Sequence, residues 1–212
     1  MIVTLASPAR MHDNEPEVAD ISIILPVRDQ ENAVASLVRC AAAVDDHVRF
    51  PEERSPPVYE LLAVDERSGD NTLAVLSVLH GQLPNLRTLQ DVEVGRSIRR
   101  AARVARGMVW LILDHAIDPA LAGWAVSQVL SGQRAAIVPG ELLAVDRSAG
   151  AEALRNLTGG LVSAQYAVVR HLRARGEAAA FSPAPDRRTV SRARLLLRSS
   201  LTRLGLARFD KP

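Results

Sequence analysis

Short apolar runs closed by turn residues alternate with longer helical patterns through most of the chain, and this alternation restricts the fold more than any other feature. The sequence predicts strands over 21–27, 59–64, 86–89, 108–113 and 135–138, with helices over 31–44, 71–80, 96–106 and 119–131 between them. A β-α-β-α-β-α-β-α-β order builds an α/β domain with a mostly parallel sheet flanked by helices. Ser68 and Asp70 suit the turn and N-cap of the second helix, and Pro119 suits the first turn of the fourth. Aromatic residues make up only 3% of a chain that is 48% hydrophobic, so the core must be aliphatic. At 212 residues, one ordinary domain with tails is expected.

Segments outside this rhythm mark the boundaries. The first 20 residues lack the basic and apolar regions of a signal peptide and read as a flexible leader. The stretch "DDHVRFPEERSPPV" at 45–58 is charged and rich in proline, which fits an exposed loop. Residues 21–182 form the expected domain, and 183–212 form a basic tail in which Asp210 stands against seven arginines and Lys211 from Arg187 onward. Three readings of that tail stay open: docking on the domain, peripheral contact with an anionic membrane face, and non-specific nucleic-acid contact. The last is the weakest, because stacking aromatics and a binding motif are missing. No run approaches the roughly 18 apolar residues of a membrane span, and Cys40 has no disulfide partner, so a cytoplasmic protein is expected. "ELLAVDERSG" from Glu60 is echoed by "ELLAVDRSAG" from Glu141, which reads as two similar junctions of strand and turn.

In an open parallel sheet, ligands bind outside the carboxyl ends of the strands. The residues there are "PVRDQEN" after the first strand, "DERSGDNT" after the second, "VGRSIRR" at the third helix and "DHAID" after the fourth. Asp65 is placed to accept hydrogen bonds from a base or ribose, and Asp114 to face a ribose or a metal. Asp29 and Glu31 read either as ligand contacts or as caps of the first helix.

These segments, in this order and spacing from Ile21 to Pro119, resemble the nucleotide-sugar-binding half of family 2 glycosyltransferases with the GT-A fold. The resemblance implies a Rossmann-like sheet and transfer of a hexose from a UDP- or GDP-sugar to a hydroxyl acceptor. It places Pro26, Val27 and Asp29 in the first nucleotide-binding segment and Asp65 on the nucleobase, with Glu66 as its acidic neighbour. Asp114 matches the first residue of the family's metal-binding Asp-x-Asp, whose second position is Ala116. Asp114 with His115 could make a nitrogen and oxygen site for Mn²⁺ or Mg²⁺. Asp118 reads as the cap of the helix that Pro119 begins. Arg96 and Arg99 lie where a guanidinium could neutralise a diphosphate in place of a metal. The family's catalytic base falls near Ala164 and Gln165, and an amide takes no proton at neutral pH. The catalytic base is therefore unassigned, and an enzyme and a catalytically impaired binding module remain as alternatives.

Overall fold

In a computed structural model of the protein, which describes residues 19–48 and 58–182, a seven-stranded sheet lies between two layers of helices. The strands are β1 (Ile21–Val27), β2 (Tyr59–Asp65), β3 (Leu86–Leu89), β4 (Val109–Ile112), β5 (Ala135–Val138), β6 (Leu142–Asp146) and β7 (Ala180–Phe181). Their spatial order is β3-β2-β1-β4-β6-β5-β7, parallel throughout except at β6, which runs antiparallel to both neighbours. The helices are α1 (Val34–Ala42), α2 (Thr72–His80), α3 (Ser97–Ala101), α4 (Pro119–Leu130), α5 (Arg147–Ala153) and α6 (Leu161–Ala174). The anticipated leader, apart from its last two residues, and the whole basic tail lie outside the described residues.

Strand pleating explains the layers. Ile21, Ile23, Leu25 and Val27 of β1 share one face with Leu61 and Leu111 and pack against α1, α2 and α4 through Val38, Leu76 and Val126. Ile24 points the other way, with Leu62, Trp110 and Ile112, and meets Ile98 of α3 and Leu161 and Val168 of α6. Both faces are covered, so these strands read as apolar runs rather than as alternating ones. Each fully buried Leu or Ile contributes about 1.5 to 3 kcal/mol relative to leaving it in water.

β6 and the two-residue β7 add to the five expected strands, and β6 is the one that shapes the site. Only Pro139, Gly140 and Glu141 separate it from β5, a hairpin length that forces antiparallel pairing, and Gly140 supplies the left-handed φ of 78° that the turn needs. The two echoed segments therefore run in opposite directions. Glu60–Asp65 is part of a parallel strand beside β1, whereas Leu142–Asp146 lies antiparallel to β4 and ends where Asp146 caps α5 by accepting from the N–H groups of Ser148 and Ala149.

α3 ends at Ala101, short of the expected 106, because a buried carboxylate takes hold of the chain that follows. Glu60 accepts hydrogen bonds from the Arg106 N–H at 2.7 Å and the Ser22 hydroxyl at 2.7 Å, and pairs with Arg87 at 2.7 Å. The Gly107 N–H in turn donates to Ser22 Oγ at 2.8 Å. This network turns the segment from helix into β4. A side chain at Gly107 would run into the Ser22 backbone. Gly107→Ala is therefore expected to cost about 2 kcal/mol of stability by overpacking. Urea unfolding of the two proteins checks this, and an unchanged midpoint would refute the close approach.

Candidate functional site

The C-terminal ends of β1, β2 and β4 lie side by side, with Val27 opposite Asp65 and Ile24 opposite Ile112. The loops that follow β1 and β2 are laced together. Asp29 N–H donates to Ser68 Oγ at 3.0 Å, and its carboxylate accepts from the Gly69 N–H at 2.7 Å. The Glu31 carboxylate accepts from the Asn71 N–H at 3.1 Å and side-chain amide at 3.0 Å, while Glu31 N–H donates to Asp70 at 3.0 Å. Asp29 and Glu31 thus join two loops instead of capping α1, whose N-cap is Ala33. The N-cap of α2 is Asn71, not Ser68 or Asp70. Asp70 accepts from the Thr72 N–H and hydroxyl. Burial raises the Asp70 pKa, but these bonds and the one from Glu31 outweigh it and hold the carboxyl below its usual range. Asp29 and Arg67 both take left-handed φ values, 49° and 56°, where the two loops turn.

Asp65 ends β2 at 1% exposure. Its carboxylate receives only the Ser68 N–H, at 3.2 and 3.4 Å to its two oxygens, so most of its accepting capacity is uncommitted among the described residues. Glu66 accepts from the Ser97 N–H at 3.1 Å and so fixes the start of α3 above β2. Ser97 is also fully buried, and its hydroxyl has no partner among the described residues. Pro26 is partly exposed on the β1 rim, while the Val27 side chain lies in the core and its carbonyl accepts from Glu66. Arg96 pairs with Glu93 at 2.7 Å and, with Arg99, Arg100 and Arg103, lines a cleft of about 290 Å³ on the exposed flank of α3.

Beyond β4, Asp114 and His115 meet a residue that the strand reading left out. The His115 ring donates through Nδ1 to Asp114 Oδ1 at 2.6 Å and through Nε2 to Glu141 Oε2 at 2.7 Å. Glu141 comes from the turn between β5 and β6, carried there because Leu143 pairs with Ile112. The echo in the sequence sets it level with Glu60, at the N-terminal end of β2, and the reversed direction of β6 is what carries it to the opposite edge. The bond to Asp114 is the main cause that pushes the His115 pKa up to about 9; partial burial opposes the shift and Glu141 reinforces it. Asp118 does cap α4, accepting from the Ala120 N–H at 3.0 Å.

This arrangement does not fit a divalent cation. Both carboxylates face the ring that separates them, Ala116 brings no donor, and both ring nitrogens are engaged. Among the described residues, no group of three His, Cys, Asp or Glu side chains could hold a metal ion. Gln165, at the position of the expected base, is also committed. It is 8% exposed, donates to the carbonyls of Val138 at 2.9 Å and Leu142 at 2.8 Å, and accepts from the Gly140 N–H at 3.0 Å. It pins the hairpin between β5 and β6. Cys40 is half-buried and exchanges hydrogen bonds with the backbone of Ile117.

The strand order and the rim of acidic residues can now be compared with known proteins. No family model and no curated protein matches the chain. Among solved structures, it is similar to glucosyl-3-phosphoglycerate synthase from Mycobacterium tuberculosis in complex with Mn²⁺, UDP and phosphoglyceric acid, at 17% identity and TM-score 0.58, over 88% of this chain and 79% of that one. It is also similar to the mannosyltransferase PcManGT from Pyrobaculum calidifontis in complex with GDP-Man and Mn²⁺, at 15% identity and TM-score 0.51, over 88% of this chain and 64% of that one. The chain has the GT-A fold. Against TarS 1–349 from S. aureus in complex with UDP, at 21% identity and TM-score 0.45, it spans 57% of its own length and 36% of the other's. No helix among the described residues is long and apolar enough to cross a membrane.

The His115 contacts predict a pH dependence of stability. A ring whose pKa rises from 6.5 unfolded to about 9 folded stabilises the protein fully below pH 6.5, and the contribution disappears as pH rises through about 9. The ring is 45% exposed, so after solvent screening this amounts to about 1 kcal/mol. His115→Gln should therefore be less stable than the parent at pH 6 and equal to it near pH 10, as read by urea unfolding. A gap that does not vary with pH would show that the ring contributes no charge.

Proposed function

We propose that the chain binds a UDP- or GDP-sugar across the ends of β1, β2 and β4 and transfers its hexose to a hydroxyl acceptor, as a family 2 glycosyltransferase. The observation that carries this reading is the buried Asp65 carboxylate at the end of β2 in a GT-A fold, its accepting capacity largely uncommitted. Donors on a nucleobase satisfy such an acceptor, and the low-dielectric site strengthens the bond. Pro26, the Val27 backbone and Asp29 form the wall of this site on the β1 side, with Glu66 and Arg96 at α3 and Asp114 on the diphosphate side.

Transfer at this site is an in-line displacement. The acceptor oxygen forms its bond to the anomeric carbon as the bond from that carbon to the diphosphate oxygen breaks, and the configuration inverts. The acceptor proton must pass to a base, and the engaged Gln165 amide is no such base. That same observation favours a second reading, a nucleotide-sugar-binding module that has lost transfer.

Calorimetry with UDP, GDP and their sugars tests binding, and chromatography of the incubated donor tests turnover. Binding with release of free sugar or glycosylated acceptor supports the transferase; binding without turnover supports the module. Absence of binding by any of these nucleotides would exclude both.

A further inference from the structure

We propose that the His115 ring, held between Asp114 and Glu141, takes the place of a divalent cation, so that this chain binds its nucleotide diphosphate without metal. The inference rests on the nucleotide-sugar reading of the site. Its basis is the set of contacts around one ring. Asp114 stands at the end of β4, where a carboxylate could hold a cation, and Glu141 is the second carboxylate that reaches the same place. Between their oxygens, at 2.6 and 2.7 Å, lies His115. A cation bridging Asp114 and Glu141 would have to expel the ring from both, losing two hydrogen bonds to carboxylates, the stronger kind.

The surroundings hold this arrangement in place. Gln165 bonds to Val138, Gly140 and Leu142 and so fixes the turn that carries Glu141. Asp114 is tied to the β1 loop through the Gln30 amide, which reaches its carbonyl at 3.5 Å. Ala116, two residues on, offers no oxygen beyond its backbone. Through its three bonds Gln165 positions the second carboxylate for the ring. Cationic charge for a diphosphate is present on the chain itself: Arg99, Arg100 and Arg103 on the exposed flank of α3 make no ion pair among the described residues.

The test has two arms, both on the full chain. In the first, Mn²⁺ alone is titrated and followed by electron paramagnetic resonance. The parent should show no stoichiometric binding below about 1 mM, whereas His115→Ala frees two carboxylates and should bind at least tenfold more tightly. His115→Gln serves as a second variant, with circular dichroism to show which of the two is folded. Tight Mn²⁺ binding by the parent, or no gain in either folded variant, overturns the proposal. In the second arm, UDP and GDP are titrated in EDTA and again in Mn²⁺, with equal affinity expected. Binding only with Mn²⁺ overturns metal independence and leaves the nucleotide reading standing. Binding under neither condition defeats the nucleotide reading, and metal-independent nucleotide binding falls with it, while the first arm still decides whether His115 excludes a divalent cation.

Discussion

Asp65→Asn is expected to lower the affinity for UDP or GDP by about 100-fold while leaving thermal unfolding nearly unchanged, a loss equivalent to about 2.7 kcal/mol. The substitution keeps shape and volume at a residue that is 1% exposed, and an amide oxygen still accepts the Ser68 N–H. What disappears is the charge. A hydrogen bond to a charged acceptor contributes about 1.5 to 3 kcal/mol, and the replacement also presents N–H groups where the base presents its own. Two donors then face one another in a site closed to water. Calorimetry of the parent and variant with each nucleotide checks this. Equal affinities would place the nucleobase away from β2. A large drop in melting temperature would instead make Asp65 a loop anchor, its bonds to Ser68 mattering more than any ligand.

The parts of this molecule legible in the sequence are those that local pattern dictates. β1, β3 and β5 have the expected bounds, and α2 and α4 differ by one residue at one end. The apolar runs of β1 and β5 are buried on both sides, and the turn residues that bound all of these elements are local. The helical register of α3 continues past Ala101, but the force that ends it is long-range: Glu60, 46 residues before Arg106, holds the Arg106 N–H. Asp29 and Glu31 look like caps for the same reason, since their partners, Gly69 and Asn71, belong to another loop. Position along the strands brought Asp114 and His115 to the rim, but their partner Glu141 arrives only through the antiparallel β6. Strand direction decides the site here, and strand direction is set by the three-residue turn at 139–141 rather than by the apolar letters.

Gln165→Glu restores an acid near the expected base position, yet it should destabilise the fold by about 4 kcal/mol and produce no gain in transfer. The native amide donates to two carbonyls, Val138 and Leu142, and accepts from Gly140, which ties together three backbone groups of one hairpin. An ionised carboxylate keeps only the Gly140 bond. It takes the side-chain donor away from both carbonyls, of which Val138 keeps the Glu141 N–H, and places a buried negative charge against their oxygens. Protonation returns one donor, so the folded state raises the carboxyl pKa above its unfolded value. The penalty is then largest at neutral pH and shrinks as pH falls toward the unfolded pKa, the reverse of a salt-bridged acid. Denaturant unfolding of the variant against the parent at pH 5 and pH 8 reads this difference directly. Because the hairpin carries Glu141, loosening it also releases His115, and the ring's pKa, followed by NMR, should move back toward 6.5. A variant as stable as the parent that gained turnover would make this position the general base. The three bonds of the native amide argue for the opposite: the position where the resemblance leads one to expect a base is here a structural support for the strand turn.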